Sequence, residues 1–94
     1  MSALKLYPVT TPTSATQVSS TSQPVKMVIM SSSNASTFSF GDKTLTTAAS
    51  GVVVAANSLV PVVLGSADGT TSFNINELYV FAASGNVNVL AVLL

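Results

Sequence analysis

The sequence predicts one small all-β domain, an antiparallel β-sandwich or barrel that ends in a C-terminal hairpin. The 94 residues are enough for a single domain. Valine and threonine are abundant, and no stretch repeats apolar residues at helical spacing. Proline or glycine recurs at short intervals, as expected for turns between short strands. These residues are Pro8, Pro12, Pro24, Gly41, Gly51, Pro61, Gly65, Gly69 and Gly85.

Residues 1–23 are predicted as an N-terminal strand followed by a Ser/Thr-rich arm or loop. The strand covers Leu4–Thr10, and Pro8 within it requires an edge position or a bulge. A weaker strand is predicted at Thr16–Ser20. Because nine of the residues Thr10–Ser22 are Ser or Thr, this segment buries little apolar surface. We therefore expect either a solvated edge strand and loop or an arm that lies on a neighbouring subunit.

Residues 24–94 are predicted to form the body of the same domain. The clearest feature is a hairpin of the last two strands, with its turn at Ser84-Gly85-Asn86. The predicted strands of the body are Val25–Met30, Thr37–Phe40, Leu45–Thr47, Val52–Ala55, Val60–Leu64, Leu78–Ala83 and Val87–Leu93.

The last strand carries apolar residues on both faces near its end. By the period of two, Leu90, Val92 and Leu94 share one face, and Leu93 lies on the opposite face with the subunit's own core. A second apolar face indicates a second burial, against another subunit or inside the sandwich. A domain of this size can cover few strands on both faces, which favours the subunit contact. The same pattern adds Val52 and Val54 to the predicted subunit interface.

Charged residues make up 6% of the chain and the net charge is zero. A surface with so little charge favours association, with itself or with a partner. Three lysines and no arginine cannot form a basic footprint, so we expect no nucleic-acid partner. The most apolar stretch, Gly51–Gly65, is interrupted by Asn57, Ser58 and Pro61, and we expect no membrane partner. No signal-peptide pattern is visible, so we expect synthesis in a cytoplasm.

The residue types that carry most chemistry are missing, because the chain has no His and no Cys. A histidine base, a cysteine nucleophile and an ordinary zinc site are therefore excluded. The acids are Asp42, Asp68 and Glu77, and the first two stand beside glycines, where Asp typically caps local backbone groups. The sequence thus predicts no enzyme and no catalytic, cofactor or metal site.

Residues Val25–Leu94 resemble the small all-β head proteins of tailed bacteriophages, among them capsid decoration or cement proteins. The likeness lies in the short strand Val25–Ile29, the Phe40-Gly41-Asp42 turn and a later apolar segment with a central loop. It is strongest in the final run NELYVFAASGNVNVLAVL, residues 76–93.

The resemblance implies a β-sandwich or barrel that binds the outside of a phage head, often as a homotrimer. Its partners would be the major capsid protein and further copies of itself, and its place the capsid surface of the virion. Two other functions stay open on the sequence: a tail-tip or fibre-associated domain that binds a host surface, and a non-viral adhesion module.

Overall fold

A computed structural model describes residues 3–10, 12–32, 37–46, 51–54, 61–66, 68 and 72–94. Within these residues the chain forms nine strands and one 3₁₀ turn. The strands are β1 (Leu4–Val9), β2 (Thr16–Gln17), β3 (Pro24–Ser32), β4 (Phe38–Gly41), β5 (Val52–Val54), β6 (Val62–Gly65), β7 (Phe73–Asn74), β8 (Tyr79–Ala82) and β9 (Val87–Leu93), with the 3₁₀ turn at Ile75–Glu77 between β7 and β8.

The strands form two antiparallel sheets, which confirms the predicted all-β class. Sheet A has the strand order β1-β9-β3-β6, and the short β7 also pairs with β3. Sheet B has the order β2-β8-β4-β5. The inner faces of both sheets contribute to one apolar core. Its buried residues are Tyr7, Val9, Val25, Val28, Met30, Phe38, Phe40, Ile75, Leu78, Val80, Ala82, Val87, Val89 and Ala91.

The predicted C-terminal hairpin is wrong in its pairing. β9 lies inside sheet A, where it pairs with β1 on one side and with β3 on the other. β8 lies inside sheet B, between β2 and β4. Gly85 has a φ of 76°, so the turn is as tight as expected, but it carries the chain from one sheet to the other. The physical reason is that β1 and β3 occupy both edges of β9, with ladders of six and seven residue pairs, so no edge is left for β8.

Other expectations on single strands differ from the structure at their ends. Leu45–Thr47 is not a strand where it is described: Leu45 N–H donates to the Asp42 carbonyl in a turn at 3.0 Å. The Leu45 side chain is buried, which explains the apolar residue there. Val60, Ala55 and Thr47 lie outside the described residues. β7 was not predicted, because two residues give no alternation to detect.

The first strand has the edge position that Pro8 requires. β1 stands at one end of the order of sheet A and pairs with β9, Pro8 opposite Asn88. A strand at the end of a sheet has one side without ladder hydrogen bonds, where the missing N–H of proline costs nothing. The prediction about Pro8 is confirmed.

The Ser/Thr-rich segment is held by its own chain. Val18 N–H donates to the Leu78 carbonyl at 2.9 Å, and Ala82 N–H donates to the carbonyl of the buried Pro12 at 2.8 Å. The Gln17 side-chain amide donates to the Asn76 carbonyl at 2.7 Å. These bonds hold the segment along β8 of its own chain.

Candidate interaction surface

The two faces of β9 differ in exposure. Val87, Val89 and Ala91 point into the core and are fully buried. Leu90 and Val92 point to the outside of sheet A and are half-buried. Leu90 and Val92, two of the five predicted interface residues, therefore lie on the outer side of sheet A, as the period of two predicts. Leu94, which follows β9, is exposed, and Leu93 packs against the core.

The register of sheet A extends this apolar face over all four of its main strands. In one row, Leu6 of β1 lies beside Leu90, which lies beside Ile29 of β3, and Ile29 lies beside Val63 of β6. Cross-strand neighbours point to the same side of a sheet. The row is therefore continuous and contains no polar side chain.

A second row runs parallel to the first, two residues further along each strand. Leu4 lies beside Val92, Val92 beside Met27, and Met27 beside Gly65. The next row in the other direction is Pro8, Asn88 and Ser31, where the surface becomes polar. We call the seven apolar side chains of the two rows the outer face of sheet A. They are Leu4, Leu6, Met27, Ile29, Val63, Leu90 and Val92.

The margins of the outer face of sheet A are more exposed than its centre. Leu4 is 51% exposed, Leu6 58% and Val63 56%, whereas Met27 and Ile29 are half-buried. None of the seven side chains carries a charge or a hydrogen-bonding group. The largest exposed apolar patch of a small domain is often functional, so the outer face of sheet A is the candidate interaction surface.

The other two residues of the predicted interface lie in the other sheet. Val52 and Val54 of β5 stand opposite Phe40 and Phe38, whose side chains are buried in the core. Val54 packs against that core, while Val52 is 59% exposed because β5 ends the order of sheet B. Val53, which was not predicted, is 54% exposed on the outer side of the same strand. The structure thus separates β5 from the outer face of sheet A.

The sequence analysis missed five residues of the outer face of sheet A: Leu4, Leu6, Met27, Ile29 and Val63. A usable signal was present in β1. Leu4, Leu6 and Pro8 alternate with Lys5 and Tyr7, and this pattern already separates an outer apolar side from an inner one. What was missing was the strand order, since β1, β9, β3 and β6 are distant in sequence.

The outer face of sheet B is built differently. It consists of Gln17, Ser39, Val53, Tyr79 and Phe81, which are cross-strand neighbours on β2, β4, β5 and β8. Ser39 at its centre has no exposed surface, and Tyr79 and Phe81 are half-buried. Among the described residues, no group offers a hydrogen bond to the Ser39 hydroxyl.

Two of the three acidic residues meet at a cleft at one end of the sandwich. Asp42 and Glu77 line it together with Lys43, Asn76 and Tyr79, and its volume is about 360 Å³. Both carboxylates also bind their own chain. Asp42 Oδ1 accepts hydrogen bonds from the Thr44 N–H and the Thr44 hydroxyl, and Glu77 Oε1 accepts one from the Asn74 N–H. The expected local capping role of Asp42 is confirmed.

Electrostatics agree with a structural role for Asp42. The hydrogen bond from the Thr44 hydroxyl, followed by that from the Thr44 N–H, lowers the pKa of Asp42 below its ordinary value of 3.8. A general acid needs a raised pKa, so the shift has the wrong sign for that task. Asp68 likewise accepts a local hydrogen bond, from the Ser66 hydroxyl at 2.8 Å.

A smaller apolar depression of about 210 Å³ adjoins this cleft, lined by Phe40, Gly41, Asp42, Leu64, Phe73, Glu77 and Leu78. Across the described ranges, no three acidic side chains come together as a metal ion would require.

In the described part of the chain, no helix has the length and apolar character to cross a bilayer. No protein-family model, no curated protein and no solved structure matches this chain.

Proposed function

We propose that this chain is a non-enzymatic structural protein of a phage virion, a capsid decoration or cement protein that binds the major capsid protein at the capsid surface. The observation that carries the proposal is a pair of exposed apolar surfaces on different sheets: the outer face of sheet A, which spans four strands, and the exposed Val52 and Val53 of β5. The low charge of the whole chain supports it, and so does the resemblance of Val25–Leu94 to phage head proteins.

The energetics favour association through many repeated contacts. Leu4, Leu6, Val63 and Leu94 are between 51% and 66% exposed. Burying a whole side chain of this kind is worth about 1.5–3 kcal/mol, so covering these four exposed parts yields roughly 3–6 kcal/mol per chain. Association itself costs on the order of 4–15 kcal/mol. A single contact is therefore weak, and a lattice of copies holds firmly because each bound copy raises the effective concentration of the next contact.

A cement protein needs at least two contacts, and this chain offers two apolar surfaces on different sheets. The first is the outer face of sheet A. The second is the β5 edge, which we define as Val52 and Val53, both more than half exposed. Because β5 ends the order of sheet B and the first surface belongs to sheet A, both can be occupied at once.

Catalysis is not part of the proposed function. The chain has no His and no Cys, and the carboxylates at the larger cleft accept hydrogen bonds from their own backbone. The expected result of a hydrolase panel is no turnover. Turnover that is abolished by Asp42→Asn or Glu77→Gln would contradict this part of the proposal.

Counting copies in purified virus particles tests the proposal. Quantitative mass spectrometry is expected to find the chain in a fixed ratio to the major capsid protein, as a decoration protein requires. A few copies per particle would instead support the tail-tip or fibre-associated function. Absence from particles would overturn the virion assignment.

Binding to the capsid is tested with the purified chain and particles that lack it. Val53→Lys places a charge on the β5 edge, and we expect it to abolish co-sedimentation with particles. Ser31→Ala is the matched control, because Ser31 is exposed and lies outside both apolar surfaces. Equal binding by both variants would exclude the β5 edge as the capsid contact.

A further inference from the structure

We propose that the outer face of sheet A binds a second copy of this chain, sheet against sheet, so that the working unit is a two-fold dimer. The inference assigns a partner to one of the two apolar surfaces and in this sense rests on the proposed function. It leaves the β5 edge as the surface that contacts the capsid.

The chemistry of the surface favours a copy of itself. The seven side chains in its two rows are uncharged and have no hydrogen-bonding group. A partner that presented charged groups here would bury them without counter-charges, which is costly. A second copy presents the same uncharged surface, so nothing is left unpaired.

The shape of the surface fits a symmetric pair. Two twisted sheets pack face to face about 10 Å apart, with their strands within about 30° of each other. A two-fold axis along the strands, between β9 and β3, places β1 of one copy over β6 of its partner. Leu6 then meets the partner's Val63, and the half-buried Leu90 and Ile29 form the centre.

The two rows cover about a third of the area that a stable dimer interface buries per partner, and they would form its apolar centre. Four strands about 4.8 Å apart and two rows about 7 Å apart give a footprint on the order of 250 Å². A stable interface buries roughly 800 Å² per partner and consists of an apolar centre with a polar rim. The Pro8, Asn88 and Ser31 row supplies a rim on one side, and the exposed Leu94 adds apolar area.

A two-fold axis lets one copy cover the outer face of sheet A of another. A trimer would need each copy to present a second, complementary surface to the next, and in this arrangement the β5 edge, the other apolar surface, is left for the capsid. The geometry therefore points to a dimer rather than the homotrimer that the resemblance implies.

The test is sedimentation equilibrium of the purified full chain without virus particles. Wild-type protein is expected to show a mass that rises with concentration to twice the chain mass and no further. The double variant Leu6→Lys, Val63→Lys is expected to raise the dissociation constant by about tenfold or more, because each charge would be buried without a partner. Circular dichroism checks that the variant is folded.

The matched control is Val53→Lys. Val53 and Val63 are 54% and 56% exposed and both lie on outer sheet faces, so the same change has the same local cost. Val53→Lys is expected to dimerise like wild type. If the double lysine variant does not fold, the test uses Leu6→Ser with Val63→Thr instead. Threonine keeps a β-branched residue on β6.

A monomer at every concentration overturns the inference, and so does equal weakening by Val53→Lys. A mass that reaches three chains overturns the two-fold arrangement and supports the homotrimer. The dimer and the virion function fail separately: a dimer that is absent from particles contradicts the proposed function alone, and a decoration protein that is monomeric in solution contradicts this inference alone.

Discussion

The outer faces of the two sheets share a strand architecture but differ in how the chain covers them. On sheet B the central Ser39 is fully buried and the flanking Tyr79 and Phe81 are half-buried. On sheet A two full rows of apolar side chains face outward, and Leu4, Leu6 and Val63 are each more than half exposed. The chain thus covers its more polar sheet face and leaves its more apolar one exposed.

This difference indicates that burial inside the monomer does not explain why the outer face of sheet A is apolar. Antiparallel sheets with one solvated face normally alternate apolar and polar residues. β9 and β3 are apolar on both sides in the two rows that form the outer face of sheet A. The unfavourable exposure is removed when another molecule covers the face, which is the basis of both proposals.

The largest effect is expected when serine substitutions on the inner side of β9 are compared with serine substitutions on its outer side. Val89→Ser replaces a fully buried side chain with a hydroxyl and is expected to cost about 3 kcal/mol or more of unfolding free energy. Leu90→Ser with Val92→Ser alters the outer face and is expected to leave a folded chain that no longer associates. Urea unfolding and sedimentation separate the two results. A double variant as unstable as Val89→Ser would show that this face is needed for folding rather than for association.

The next effect concerns the glycine that brings β6 close to β3. Gly65 has a φ of 97°, and a Cβ there would lie 2.3 Å from the Lys26 carbonyl oxygen. Gly65→Ala is therefore expected to cost about 2 kcal/mol and to displace Val63 from the outer face of sheet A. Gly41→Ala is the control on sheet B, where a Cβ would meet Leu45 at 3.6 Å. Equal midpoints of thermal unfolding for the two variants would contradict the close approach of β6 to β3.

A smaller effect of opposite sign is expected on the covered face of sheet B. The Ser39 hydroxyl is buried without a hydrogen-bond partner among the described residues. Ser39→Ala removes this unpaired group and is expected to raise the unfolding free energy by about 1 kcal/mol. Ser31→Ala, at an exposed position on the outer side of sheet A, is expected to be neutral. A loss of stability in Ser39→Ala would show that its hydroxyl is hydrogen-bonded.

The smallest effect is expected at the cleft, away from both outer faces. Hydrogen bonds from Thr44 lower the pKa of Asp42 in the folded chain. A lowered carboxyl pKa gives stability that is present above the ordinary value of 3.8 and is lost as the pH falls through the folded pKa. Asp42→Asn should flatten this acid-side decline slightly, while the association of the protein stays unchanged. The measurement is urea unfolding between pH 2 and 6. Altered dimer formation by Asp42→Asn in sedimentation would contradict the independence of the cleft from the outer face of sheet A.

Much of the fold was predictable because its signals are local. The alternation in Val87–Leu93 gave the correct bounds of β9, and Pro8 gave the edge position of β1. Strand pairing was not predictable by the same means. The Ser84-Gly85-Asn86 turn suits a hairpin, but the longer ladders that β9 forms with β1 and β3 decide its sheet.

The candidate surface was predictable only in part, for the same reason. Leu90 and Val92 could be placed on an outer face from one strand alone. Joining them to Leu6, Ile29 and Val63 requires the order of sheet A, which brings together residues from the start, middle and end of the chain. Val54 shows the converse case, since an apolar run of three valines does not reveal which side faces the core.

The central claim is that the outer face of sheet A is covered by another copy of the chain. The chain has no cysteine, so Val63→Cys introduces a single reactive thiol on that face and Val53→Cys an equally exposed one outside it. The rate of maleimide modification is measured over a range of protein concentrations. The thiol of Val63→Cys is expected to become protected as the protein concentration rises, while that of Val53→Cys is not. Equal rates at all concentrations would contradict it.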